Sequence, residues 1–184
     1  PDGELFARWI QMGVFHPFTR THSAGNDPGA EPQEPWSYGS KVEFIAKKYI
    51  QLRYQLLPYI YTTFWQHSTY GTPMVRPLVM TDQEDTESLY RTDQYMFGDK
   101  IMVCPVNLPG ATTRLVYLPK GRWYDFWDDT LENGGKEIEA DAPLDRMPLY
   151  VKEGSVIPNY PKMQYVGEIP VTELTLHIYY TKTV

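Results

Sequence analysis

The feature that most constrains this chain is a change of hydrophobic period at Gly71. Before it, apolar residues recur every three to four positions, the spacing of helix faces. Residues 4 to 14 predict a helix, with Asp2 or Gly3 as cap and Glu4 in the first turn, where acid is favourable. Leu5, Trp9 and Met12 fall on one face with Phe6 and Ile10 beside them, and Gly13 followed by Pro17 ends the run. "FHPFTR" is short, aromatic and extended in character, the pattern of a buried strand. Residues 23 to 36 carry three Pro and two Gly and read as loop. A long helix is expected from about 39 to 69, capped by Ser37 or Ser40 with Glu43 at the capping-box position. Its apolar surface is the row Phe44, Lys48, Leu52, Leu56, widened by Ile45, Tyr49, Leu57, Ile60 and Phe64. Pro58 removes one helical hydrogen bond and predicts a kink, and Gly71 ends the run.

After Gly71 the runs "PMVRPLVM", "QYMFGDKIMVCPV", "TTRLVYLPKGRWYDFWD" and "VTELTLHIYY" are short, β-rich and cut by turn residues. In the last of these, Leu174, Leu176, Ile178 and Tyr180 alternate with polar residues, as in a half-buried strand. Helices followed by many strands read as two units. Residues 1–71 are expected to be the C-terminal part of an α/β barrel, and 72–184 an antiparallel β-sandwich, with about 165–184 as the candidate start of a further β domain.

Composition narrows the function. Hydrophobic residues make up 42% of the chain, enough for a sizeable core. A net charge of −6 without a basic cluster argues against nucleic acid and against an anionic membrane surface. Fifteen Tyr and five Trp are compatible with sugar binding, since flat rings pack on the C–H faces of pyranoses, but equally with a β-sandwich core. The single Cys104 sits in "KIMVCPV" and reads as a small core residue. No apolar run reaches membrane-spanning length. The chain opens already inside a helical pattern, so it is expected to be a piece whose start lies upstream.

The stretch "RTHS" stands out. In α/β barrels the loops after the strands carry the active site. Arg20 and His22, two apart on an extended segment, share a face. Such a pair suits the binding of hydroxyls or the fixing of a carboxylate. A purely structural role, with Arg20 paired to an acid and His22 closing a turn, stays open at this point. Other chemistries find no support. His16, His22 and His67 lack metal-ligand spacing, and neither HExxH, CxxC nor GxSxG occurs.

"LFARWIQMGVFHPFTRTHS", "QEPWSYG", "LRYQLLPYIYT", "GTPMVRPLVM", "DQYMFGDKIMVCPV" and "YLPKGRWYDFW" occur in that order. Together, over about residues 4 to 160, they resemble the end of the catalytic barrel and the following β-sandwich of glycoside hydrolase family 31, the α-glucosidase and α-xylosidase family. The resemblance implies a retaining exo-acting α-glycosidase, in which one carboxylate attacks the anomeric carbon while another serves as acid, then base. In the family both are Asp residues in motifs upstream of this segment, so no catalytic residue is assigned here; Asp27, Asp82, Asp93 and Asp99 lie outside such motifs. It places His22 at the histidine of an R-x-H motif that hydrogen-bonds sugar hydroxyls, with Arg20 supporting it through an ion pair. Glu34 and Trp36 border the pocket or merely pack the loop. Trp123, Tyr124 and Trp127 form a sugar platform or a core. No cofactor or metal is implied. The expected partners are an oligosaccharide substrate, met by the whole barrel, and the remainder of the parent chain. The competing reading is a carbohydrate-binding β-sandwich without catalysis.

Overall fold

Helix α1 (Gly3–Gly13) begins where Asp2 accepts a hydrogen bond from the Leu5 amide at 2.8 Å, satisfying one of the amides a helix start leaves free. The computed structural model describes residues 2–22 and 32–180, and the expected loop over 23–36 lies largely outside them. The face of α1 that enters the core is Phe6, Ala7 and Ile10, whereas Leu5 and Trp9 are 54% and 56% exposed. The Leu5–Trp9 row is therefore a surface stripe rather than the core face.

A 3₁₀ turn (Pro35–Tyr38) leads into α2 (Ser40–Gln55) and α3 (Leu57–Tyr70). Neither Ser37 nor Ser40 caps α2; Gly39 occupies the cap position with no side-chain bond, and the Ser37 hydroxyl donates instead to Glu34. The predicted kink is a break at Leu56, two residues before Pro58, because the ring excludes the preceding turn from continuing. Gly71, in the left-handed conformation that costs glycine nothing, closes α3 by donating to His67 O.

The expected strand "FHPFTR" is not one here. Residues 14–18 form turns and bends, and 19–22 run as unpaired chain. A parallel strand keeps its shape through ladder bonds to neighbours, and no described residue pairs with this segment. Phe15 is fully buried and meets Phe97 edge-on, while Phe18 stands in solvent.

The remaining elements are β1 (Val75–Pro77), α4 (Thr86–Tyr90), β2 (Tyr95–Phe97), β3 (Ile101–Val103), β4 (Thr113–Leu118), β5 (Arg122–Asp125), β6 (Leu131–Asn133), β7 (Lys136–Asp141), β8 (Leu149–Lys152), β9 (Ser155–Asn159) and β10 (Thr175–Tyr179). Six of the strands form an antiparallel sheet in the order β1-β2-β3-β8-β5-β6; β4 pairs with β7 and β9 with β10. Strand β3 is apolar at every position, and β8 at its first three, because both faces are covered there. Phe97, Ile101, Val103, Leu149 and Val151 face a core shared with α1, α2 and α3. Met96, Met102, Cys104 and Tyr150 face a second core closed by Val116, Tyr117 and Leu118 of β4 and Ala140 of β7. Strand β10 departs from expectation. Leu174, Leu176, Ile178 and Tyr180 are exposed, and the buried residue is Tyr179, seated against Tyr124. Pairing with β9 in the register Tyr179↔Ser155 turns the apolar row outward.

One loop of the strand region, residues 142–147, is gripped by the helices. Arg8 donates to the carbonyls of Ala142, Pro143 and Arg146, and Gln11 to that of Leu144. Lys48 donates to Asp145 O, and the Tyr49 hydroxyl accepts from the Met147 amide. Where a loop packs against helices its backbone must find partners, and here side chains of α1 and α2 supply them.

Candidate functional site

Arg20 and His22 lie on the exposed segment that follows α1, with the Arg20 Nη2 2.6 Å from the His22 Nδ1. A guanidinium has only donors, so this bond makes Nδ1 the acceptor. The ring proton then sits on Nε2, whose N–H can act as a donor. Among the described residues Arg20 pairs with no carboxylate, and its contact there is with His22. Arg20, Thr21 and His22 line one side of a cleft of ≈ 370 Å³; Leu5, Phe6 and Trp9 of α1 and Gln33 line the rest. The exposed stripe of α1 is thus one wall of the cleft in which the polar pair sits.

Three features hold this edge in place. Phe6 stacks on Tyr38 with ring centroids 4.3 Å apart, and the Tyr38 hydroxyl donates to Pro32 O, so the 32–38 segment is pinned to α1. Gly13 lets the chain fold back on itself, because a Cβ there would stand 2.5 Å from Thr19 Oγ1. From α2, Arg53 donates to three carbonyls of the turn, those of Val14, His16 and Pro17. No expectation from sequence pointed to Arg53, although an arginine inside the apolar helical run "LRYQLL" was the available signal.

The other candidates fall into place around this. Trp36 is exposed and lines a different groove, with Glu43, Lys47 and Tyr54, and Glu34 accepts from Ser37. Trp123 is wholly buried, its Nε1 donating to Pro119 O. Trp127 is partly buried, donates to Met147 O and lies under the Lys48 ammonium, and Tyr124 packs on Tyr179. These three are packing residues. Asp93 pairs with Arg114 at 2.7 Å, Asp99 with Lys100, and Asp82 accepts from the Glu84 amide. Asp27 lies outside the described residues. Cys104 is buried, and burial pushes its thiol up to about 12, which removes it as a nucleophile. His16 is half-buried beside Tyr95, with its pKa lowered by burial and then by Arg53. Among the described residues no group of three or more His, Cys, Asp or Glu could hold a metal ion, and no helix is long and apolar enough to cross a membrane.

Comparison with known proteins gives this geometry a family. Residues 1–63 match the glycosyl hydrolases family 31 TIM-barrel domain, and residues 71–157 the glycosyl hydrolase family 31 C-terminal domain. The chain is 40% identical over 180 residues to alpha-glucosidase 2 of Bacillus thermoamyloliquefaciens, covering 97% of this chain and 22% of that protein. It is 42% identical over 157 residues to an alpha-xylosidase of Saccharolobus solfataricus, covering 84% of this chain and 21% of that protein. A solved GH31 dextranase of Flavobacterium johnsoniae, complexed with isomaltotriose, superposes with a TM-score of 0.91 at 40% identity, over 98% of this chain and 22% of that one. The chain thus spans about a fifth of the length of these relatives. With both domain matches in order and the fold shared at this identity, the chain belongs to glycoside hydrolase family 31.

Proposed function

We propose that this chain supplies the sugar-gripping edge of a retaining α-glycosidase that removes terminal α-linked sugars from oligosaccharides. Residues 1–71 act as the end of its barrel and 72–184 as the β-sandwich behind it, with about 165–184 leading toward a further β domain. The observation that carries the reading is the Arg20–His22 contact on an open cleft. It leaves the second ring nitrogen of His22 as a donor in a cleft that the exposed ring of Trp9 also lines, so that a polar group and an apolar wall share one site. That combination matches a pyranose, which presents hydroxyls at its rim and C–H groups on its faces. The relatives named α-glucosidase, α-xylosidase and dextranase support an α-linked glucose or xylose unit as the sugar.

In this role His22 Nε2 donates to a ring hydroxyl, and Arg20 holds the imidazole in the tautomer that can do so. The attacking and protonating carboxylates come from the rest of the parent protein. Hydrogen bonds to sugar hydroxyls that tighten as the oxocarbenium-like state forms are worth several kcal/mol in such reactions. One such bond from His22 corresponds to roughly 10²-fold in rate. The test is hydrolysis of nitrophenyl α-glucoside and α-xyloside by the protein that carries this chain. His22→Ala should lower kcat about 10²-fold in an enzyme that still folds. Unchanged turnover would remove His22 from the site. The 184 residues by themselves should show no turnover, and hydrolysis by them would overturn the division of labour.

A further inference from the structure

We infer that Arg53, on α2, is a positioning residue that sets where the Arg20–His22 edge points; the inference rests on the function proposed above. Its Nη1 donates to Val14 O at 2.6 Å and to His16 O at 2.7 Å, and its Nη2 to Pro17 O at 3.0 Å. No carboxylate pairs with it among the described residues, and burial lowers its pKa. A partly buried cation is thus given over to backbone carbonyls. Among the described residues no strand pairs with the segment that carries those carbonyls. Arg53 ties it to α2. Its own helix is rigidly seated, with Ile45, Ala46 and Tyr49 fully buried.

The geometry makes the anchor a lever. Pro17 is three residues from Arg20 and five from His22, and chain beyond it is exposed. Five extended residues reach at most about 17 Å, so a small tilt at the turn becomes a displacement on the order of 1 Å at His22. Misplacement of that size can cost about 10²-fold in rate. The planar two-nitrogen fork of arginine matches three carbonyls at once, whereas a lysine ammonium is a point charge on a flexible stem.

The experiment is a double-mutant cycle in the protein that carries this chain, with kcat and KM read on whichever nitrophenyl α-glycoside it turns over faster. Arg53→Gln should lower kcat about 10- to 100-fold with KM changed less than about threefold. Arg53→Lys should recover part of the loss. In the His22→Ala background Arg53→Gln should cost almost nothing further, because its effect passes through His22. Additive losses, or an Arg53→Gln enzyme with full kcat per folded molecule, would overturn the inference. If Arg53→Gln does not fold, the cycle is run with Arg53→Lys and read the same way. A His22→Ala enzyme with normal kcat would instead sink the function proposed for His22, so the two failures are distinguishable.

Discussion

The Arg8 guanidinium donates to the Ala142 carbonyl at 2.7 Å, a bond between α1 and the loop after β7 that spans 134 residues of sequence. The same side chain reaches Ala111, Pro143 and Arg146 carbonyls, and it is buried. Burial lowers its pKa, opposed by the nearby charge of Glu4. The helical and β-rich parts of the chain are therefore joined by a charged hub as well as by apolar contact.

Arg8→Met should destabilise the protein by about 2–4 kcal/mol, because it strands several acceptors at once. Arg8→Lys should recover only part of this, since one ammonium cannot copy the fork. Urea unfolding checks both variants, and a loss below about 1 kcal/mol for Met would show that water readily takes over the carbonyls.

Two tryptophans should behave oppositely. Trp123→Ala removes a fully buried ring from the core between the sheet and the β4–β7 pair, at a cost of about 3–5 kcal/mol. Trp9→Ala removes a half-exposed ring from the cleft wall and should cost less than about 1 kcal/mol. Under the proposed function it should instead weaken binding of a short α-linked oligosaccharide by the parent protein, read by calorimetric titration.

Asp85 caps α4 and accepts from the Tyr117 hydroxyl at 2.7 Å and from Ser88. Burial pushes its carboxyl up, but the bonds from Tyr117, Ser88 and the Glu87 amide prevail and leave it below the usual range. A depressed carboxyl adds stability that is present above the unfolded value near 3.9 and is lost as pH falls through the folded one. Asp85→Asn should cost about 1–2 kcal/mol at neutral pH, and its stability should fall less than the wild type's below pH 4. Parallel acid limbs in denaturation at several pH values would contradict this.

His16 should make the turn sensitive to pH from the other side. Burial first, and the Arg53 guanidinium second, hold its folded pKa below the ordinary imidazole value of 6.5. The unfolded chain then binds a proton that the folded chain resists, so stability is full above about pH 6.5 and declines as pH falls toward the folded value. Between pH 8 and pH 5.5 the wild type should lose more stability than His16→Gln. Equal losses in thermal melts would mean that neither burial nor the field of Arg53 holds the ring neutral.

Much of the fold was legible in the residues. The Asp2 cap, the break before Pro58 and the Gly71 stop were readable because each rests on local backbone chemistry. The β-rich run "QYMFGDKIMVCPV" holds strands β2 and β3 as expected, while the cover on both faces of β3 came from the packing. The cleft was half legible. Arg20 and His22 were identifiable by type and spacing, but the wall beside them was not, since Leu5 and Trp9 look like any helical core face until their exposure is known.

By itself, then, the sequence determined the start of α1, the break before Pro58 and the stop at Gly71, for those choices depend on dihedral freedom, amide donors and hydrophobic period within a few residues. Only the tertiary structure decided which apolar face is covered, as β10 shows by burying Tyr179 and exposing Ile178. It also decided that Arg53 meets the Val14, His16 and Pro17 carbonyls rather than an acid. Such partners are set by the packing of segments distant in sequence, and no local rule contains that distance.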